Sequence, residues 1–110
     1  MMTEPSRREK IEAMLADDPQ DCFLQYSLAL ELDKEDRSDE SLQYFQRLMD
    51  HAPPYVPAFL MAGQLLARLQ RIDDARQVLR TGIETARQQG ETHAAGEMSE
   101  LLAGLGNLGE

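Results

Sequence analysis

Residues 56–83 read VPAFLMAGQLLARLQRIDDARQVLRTGI, and residues 22–49 read CFLQYSLALELDKEDRSDESLQYFQRLM. Laid over each other at a spacing of 34 residues, the two stretches agree where side-chain size matters. Ala29, Leu32, Ser41 and Phe45 become Gly63, Leu66, Ala75 and Leu79: small, apolar, small, apolar both times. Pro53 likewise has Pro19 one period before it. A period of this length marks stacked helical hairpins, because one hairpin cannot bury its apolar face alone. Such stacks present a surface and seldom carry chemistry of their own.

The small residues have a mechanical reason. Ala29 and Gly63 let the facing helix of the same hairpin approach closely, and Ser41 and Ala75 are their counterparts on that helix. Phe45, Phe59 and Leu79 fill the space beside them.

Working outward, Ser6 followed by Glu9 is a capping-box signature, and Ile11, Met14 and Leu15 form an apolar stripe behind it. That helix ends near Asp17, since the residue before Pro19 disfavours the α region. Asp21 is an N-cap for a second helix carrying Leu24, Leu28 and Leu32 on one face, with Tyr26 and Leu30 on another. From Glu31 to Glu40 the chain has six acidic and two basic residues, which reads as the turn between helices. A third helix carries Leu42, Phe45, Leu48 and Met49, and Pro53 and Pro54 end it. Pro57 suits the first turn of a fourth helix, where a missing N–H costs nothing. That helix runs through Phe59, Ala62, Gly63, Leu66 and Leu69. After a turn over residues 70–73, a fifth carries Ala75, Val78, Leu79, Gly82, Ile83 and Ala86. Gly90 is an αL stop. A sixth helix spans Thr92 to Ala103, with Ala94, Met98, Leu101 and Leu102 at helical spacing. The glycine-rich residues 104–110 read as a flexible tail.

Composition agrees. The chain has 110 residues, 42% apolar, 28% charged and 5% aromatic, which argues for one helical domain and against a sheet. No apolar run reaches the length of a membrane span or forms a signal peptide. A single cysteine, Cys22, excludes an internal disulfide and fits a reducing cytoplasm. The net charge of −9 argues against a nucleic-acid partner, because a phosphate backbone would be repelled.

These residues resemble the tetratricopeptide repeat family, whose signature is W-x-x-L-G-x-x-Y, then A-x-x-x-F, then P. One copy reads Phe59-x-x-Ala62-Gly63-x-x-Leu66, then Ala75-x-x-x-Leu79. The other reads Gln25-x-x-Leu28-Ala29-x-x-Leu32, then Ser41-x-x-x-Phe45, then Pro53. Three departures stand out: Gln25 replaces the opening aromatic, Gly82 replaces the usual alanine, and no proline closes the second repeat. The resemblance implies an all-α, right-handed α-α superhelix of antiparallel helix hairpins with about six helices. The expected organisation is a disordered N-terminus (1–5), then one domain over residues 6–103. That domain comprises a capping helix (6–18), repeat one (22–55), repeat two (56–89) and a C-terminal helix (91–103).

The resemblance also implies that the first helix of each hairpin lines a concave groove for an extended or helical peptide. The implied lining is Phe23, Tyr26, Leu30, Leu60, Met61, Gln64 and Met98. Members that clamp the acidic tail of heat-shock chaperones use Lys, Asn and Arg at places held here by Tyr26, Leu30, Met61, Glu91 and Ala95, so that partner is not expected. The lining is apolar and rich in adaptable thioethers. Each buried anchor of a ligand supplies about 1.5–3 kcal/mol, against an association cost of about 4–15 kcal/mol. Three or four anchors reach micromolar affinity at best.

Motifs that imitate chemistry have blander readings. Gly104-Leu105-Gly106-Asn107-Leu108-Gly109 matches G-x-G-x-x-G, but that fingerprint works between a strand and a helix. His93 and Glu97 give two potential metal ligands, too few for a closed site. The acidic run lacks the order and the glycine of a calcium loop, and Cys22 has no activating neighbour. The expected function is therefore a non-catalytic, cytoplasmic adaptor that needs no cofactor and binds a protein or peptide, with no nucleic-acid or membrane partner. The alternatives are a small acidic chaperone, since some chaperones of type III secretion resemble this architecture, and a weak homodimer formed through the groove or an apolar end at Leu105 and Leu108.

Overall fold

The computed structural model describes residues 4–106. Six α-helices and no strand occur among them: α1 (Arg7–Asp17), α2 (Cys22–Lys34), α3 (Ser38–Met49), α4 (Val56–Arg68), α5 (Ile72–Gln88) and α6 (Thr92–Leu105). The expectations for residues 1–3 and 107–110 lie outside the described residues. The chain divides into two compact units, Met1–Leu48 and Met49–Glu110.

The period is visible in the backbone. α2 and α4 start 34 residues apart and end 34 residues apart, and so do the starts of α3 and α5. The turns after α2 and α4 are the same turn. Asp36 and Gln70 take left-handed conformations, with φ of 60° and 63°. The N–H of Arg37 then donates to the Leu32 carbonyl, and that of Arg71 to the Leu66 carbonyl, both at 2.9 Å. The turn after α5 repeats the geometry around Gly90 (φ 74°), with the Glu91 N–H donating to the Ala86 carbonyl at 2.8 Å. These are Schellman turns, which satisfy the last free carbonyls of each helix. Even an ion pair is periodic: Arg37 binds Glu40, and Arg71 binds Asp74, each three residues into the next helix.

The first unit holds α1 against the α2–α3 hairpin. The capping box of α1 is complete: the Glu9 N–H donates to Ser6 Oγ at 3.1 Å, and the Ser6 N–H to Glu9 Oε1 at 3.2 Å. Asp21 caps α2 by accepting from the Leu24 N–H at 2.9 Å. Ile11 of α1 meets Leu28 and Leu32 of α2, with Leu15 and Tyr44 packed alongside. Ser41 is fully buried and donates from Oγ to the Ala29 carbonyl at 2.6 Å, so the close approach of α2 and α3 carries a hydrogen bond as well as a small-residue contact.

The acidic run is narrower as a turn than its composition suggests. Residues 31–34 belong to α2, and the turn is residues 35–37. Opposite charges make the helix tolerable there. The Glu31 side chain is 12% exposed and pairs with Arg7 at 2.8 Å and Lys34 at 3.2 Å. The single N–H of Arg8 Nε is shared between the two Glu35 carboxylate oxygens, at 3.0 and 2.8 Å, and Arg8 also reaches Glu12. The Glu35 hydrogen bond raises the Arg8 pKa. The hydrogen bond to Glu40 raises that of Arg37, and the same bond holds the Glu40 carboxyl below its ordinary range.

In the second unit α5 packs on both α4 and α6, and α6 also reaches α4. Gly63 is there because nothing larger fits. A Cβ built on it would lie 2.6 Å from Leu79 Cδ2 and 2.8 Å from Leu79 Cγ. Gly82, the apparent departure from the repeat pattern, has the same cause: a Cβ there would lie 2.5 Å from Phe59 Cβ and 2.6 Å from Met98 Sδ. Phe59, Ala75 and Leu79 are all buried.

The C-terminal end differs from expectation. α6 continues through Gly104 and Leu105 instead of ending at Ala103. Leu105 is buried, and its carbonyl accepts from Arg76 Nη2 of α5 at 2.8 Å. Composition suggested a loose tail from residue 104; the tertiary contact orders its first residues. Leu105 therefore offers no exposed apolar end for self-association, and Leu108 lies outside the described residues.

Candidate peptide-binding faces

Each hairpin presents one face of its first helix. On α2, Phe23, Tyr26 and Leu30 sit at i, i+3 and i+7, and so share a side of the helix. Phe23 is 65% exposed, an unusual place for a large aromatic side chain. Tyr26 is half-buried because its ring tilts onto Phe45 of α3, with centroids 6.2 Å apart and planes at 58°. Leu30 is half-buried. On α4, Leu60 and Gln64 stand one period after Tyr26 and Leu30. Leu60 and its neighbour Met61 are half-buried, and Gln64 is exposed.

Met98 does not belong with these residues. Its side chain is fully buried, with the sulfur beside the position where Gly82 lacks a Cβ. It is a core residue of the second unit and cannot line a groove open to solvent. α6 touches two helices, and the stripe of apolar residues read from its sequence turns inward at Met98 instead of outward. Two exposed apolar side chains escaped the sequence reading: Met14 of α1 and Leu69 after α4. Both sit at helical spacing with core residues, so periodicity assigns them inward.

No group of three His, Cys, Asp or Glu side chains is arranged to hold a metal ion among the described residues. His93 Nε2 and Glu97 Oε1 lie 2.9 Å apart at the surface. Gly104 lies within α6 and Gly106 just after it, so the glycine motif begins inside a helix and not after a strand. Among the described residues no helix is long and apolar enough to cross a membrane.

The profile described as tetratricopeptide repeat matches residues 34–103. The chain belongs to the tetratricopeptide repeat family. A tetratricopeptide repeat domain protein from Salinibacter ruber is 34% identical; its solution structure gives a TM-score of 0.76 over 82% of this chain and 91% of that chain. The crystal structure of the Salinibacter ruber domain gives 0.74 over 81% and 99%, again at 34% identity. A Bordetella parapertussis protein, 24% identical, gives 0.80 over 94% and 90% of the two chains and supports the fold alone. No curated protein matches. Tetratricopeptide repeats are in general protein–protein interaction modules, typically without catalysis, and membership places this chain in that broad class.

Proposed function

We propose that this tetratricopeptide repeat protein is a non-catalytic adaptor that holds an apolar or amphipathic peptide segment of a partner protein. The observation that supports this most is Phe23. A phenyl ring left in water on a folded domain gains nothing for folding, and aromatic side chains, phenylalanine among them, are enriched at protein interfaces. Tyr26 and Leu30 flank it on the same side of α2. On α4, Leu60, Met61 and Gln64 offer an apolar face with one amide, the mixture that fixes the orientation of an apolar ligand. Phe23 is rigid, whereas Met61 repacks readily, so the two faces would tolerate several side chains at modest affinity. A net charge of −9 favours a partner segment whose flanks are basic or neutral. The lone cysteine is consistent with a reducing cytoplasm.

The test is affinity capture from the native host's lysate with the natural chain, Phe23→Ser and Met61→Ser, each first checked for an unchanged melting temperature. The reading expects a protein retained by the natural chain and lost with either variant. Equal retention by all three would place the binding surface elsewhere.

A further inference from the structure

The end of α2 that carries Phe23 is charged differently from the rest of the first unit. Near the other end acids and bases neutralise one another: Arg7 and Lys34 pair with Glu31, Arg8 with Glu12 and Glu35, and Arg37 with Glu40. Around the turn that joins α1 to α2 the charged residues are all acids: Asp17, Asp18 and Asp21. The remaining bases of the unit stand elsewhere. Lys10 is midway along α1. Arg47 lies over the Tyr44 ring, 4.9 Å from its centroid, and Tyr44 packs with the cluster of Ile11, Leu28 and Leu32. Those two leucines leave α2 on the side away from Phe23.

Of the three acids, Asp21 has a structural task, since its Oδ1 caps α2. Asp17 ends α1 and Asp18 is its C-cap, a place where negative charge opposes the helix dipole. Both are exposed, and neither has an ion-pair partner among the described residues. Their turn is nevertheless fixed. The Asp18 N–H donates to the Met14 carbonyl at 3.1 Å, the Asp21 N–H to the Asp18 carbonyl at 3.2 Å, and Gln25 Nε2 to the Pro19 carbonyl at 2.8 Å. Two unsatisfied carboxylates are thus held at the end of the α2 face where the Phe23 ring stands open, at a small ordering cost to any cation they meet.

We infer that the partner segment of the α2 face is basic at one end only, and that this end lies over the α1–α2 turn. The inference rests on the adaptor reading above and adds the direction in which the segment lies. Phe23, Tyr26 and Leu30 take its apolar side chains, and a lysine or arginine beyond them meets Asp17 and Asp18. Arginine suits the place best, since its planar guanidinium can stack on the open Phe23 ring and present its fork to a carboxylate. At the other end of the face the same residue would meet Lys34, whose side chain is 69% exposed.

The test uses the full chain and three synthetic amphipathic peptides. They share one leucine pattern and carry arginines, glutamines or glutamates at the N-terminal end. NMR titration of the labelled protein at low salt follows binding. The arginine peptide should bind about three- to thirtyfold more tightly than the glutamine peptide, and the glutamate peptide more weakly than either. A nitroxide beside the arginines should broaden the amides of residues 20–24 more than those of residues 30–34. Asp17→Asn with Asp18→Asn should weaken the arginine peptide about two- to tenfold, spare the glutamine peptide and leave the melting temperature no lower. Glu97→Gln with Glu100→Gln makes the same change of net charge on α6 and should alter neither peptide. Phe23→Ser should weaken all three. If the arginine and glutamine peptides bind alike, if the nitroxide broadens residues 30–34 instead, or if both charge variants weaken binding equally, the inference is overturned while Phe23-dependent binding keeps the adaptor reading. If binding survives Phe23→Ser, the docking face is wrong and both readings fall.

Discussion

Restoring the family's alanine at position 82 should destabilise this protein. The new methyl carbon would sit 2.5 Å from Phe59 Cβ, 2.9 Å from Phe59 Cγ and 2.6 Å from Met98 Sδ. Carbon atoms in contact prefer about 3.5–4.0 Å. Met98 can swing its thioether aside, but Phe59 Cβ is fixed to the backbone of α4, so α4 and α5 must separate by roughly 1 Å. Overpacking of this kind costs about 1–3 kcal/mol, and a rigid neighbour selects the upper half of that range. Alanine returns about 0.8–1.0 kcal/mol as the better helix former. The net expectation for Gly82→Ala is a loss of about 1–2 kcal/mol. Urea denaturation followed by far-UV circular dichroism measures it, with an unchanged slope confirming that unfolding exposes the same surface. Each kcal/mol also lowers the melting temperature by roughly 4–8 °C in a domain near this size. Gly96→Ala is the matched control: with open space around it, the variant should gain up to about 1 kcal/mol. Gly82→Ala combined with Met98→Ala should not recover stability, since Phe59 remains. If Gly82→Ala proves as stable as the natural chain, the close approach of Phe59 to α5 is wrong.

Three further outcomes follow from the two units. Ser41→Ala should cost about 0.5–1.5 kcal/mol in urea denaturation, the net worth of the bond to the Ala29 carbonyl; a neutral result would mean that the hydroxyl merely fills space. Phe59→Ala should cost about 3–5 kcal/mol as a buried aromatic, while Phe23→Ala should stay within about 0.5 kcal/mol; comparable losses would place Phe23 in the core. Stability should also fall in acid. Glu9, bonded to the Ser6 backbone and hydroxyl, and Glu40, bonded to Arg37, both have lowered pKa values. Their contribution is complete above the unfolded glutamate value of about 4.3 and is lost as pH drops through the lowered folded values. Glu9→Gln with Glu40→Gln should flatten that decline in a melting-temperature series, and an unchanged profile would show that neither pair matters.

The repeat, the helices and most of their ends are legible in the amino-acid order, because these depend on interactions a few residues apart. A capping box at Ser6 and Glu9, an N-cap at Asp21 and a left-handed stop at Gly90 are local, and each formed where its residues stand. The pairs Ala29/Gly63 and Ser41/Ala75 revealed the hairpin contacts because size complementarity repeats with the period. Tertiary structure decided what lies beyond one hairpin. Gly82 looked like a lapse from the pattern until Phe59 and Met98 were found against it. Met98 reads as a groove residue when α6 is taken alone, and it is core because α4 and α5 press on α6 from one side. Leu105 reads as tail, yet Arg76 of another helix holds it in place. Helical periodicity tells which residues share a face, but only the neighbouring helices determine whether that face meets protein or water.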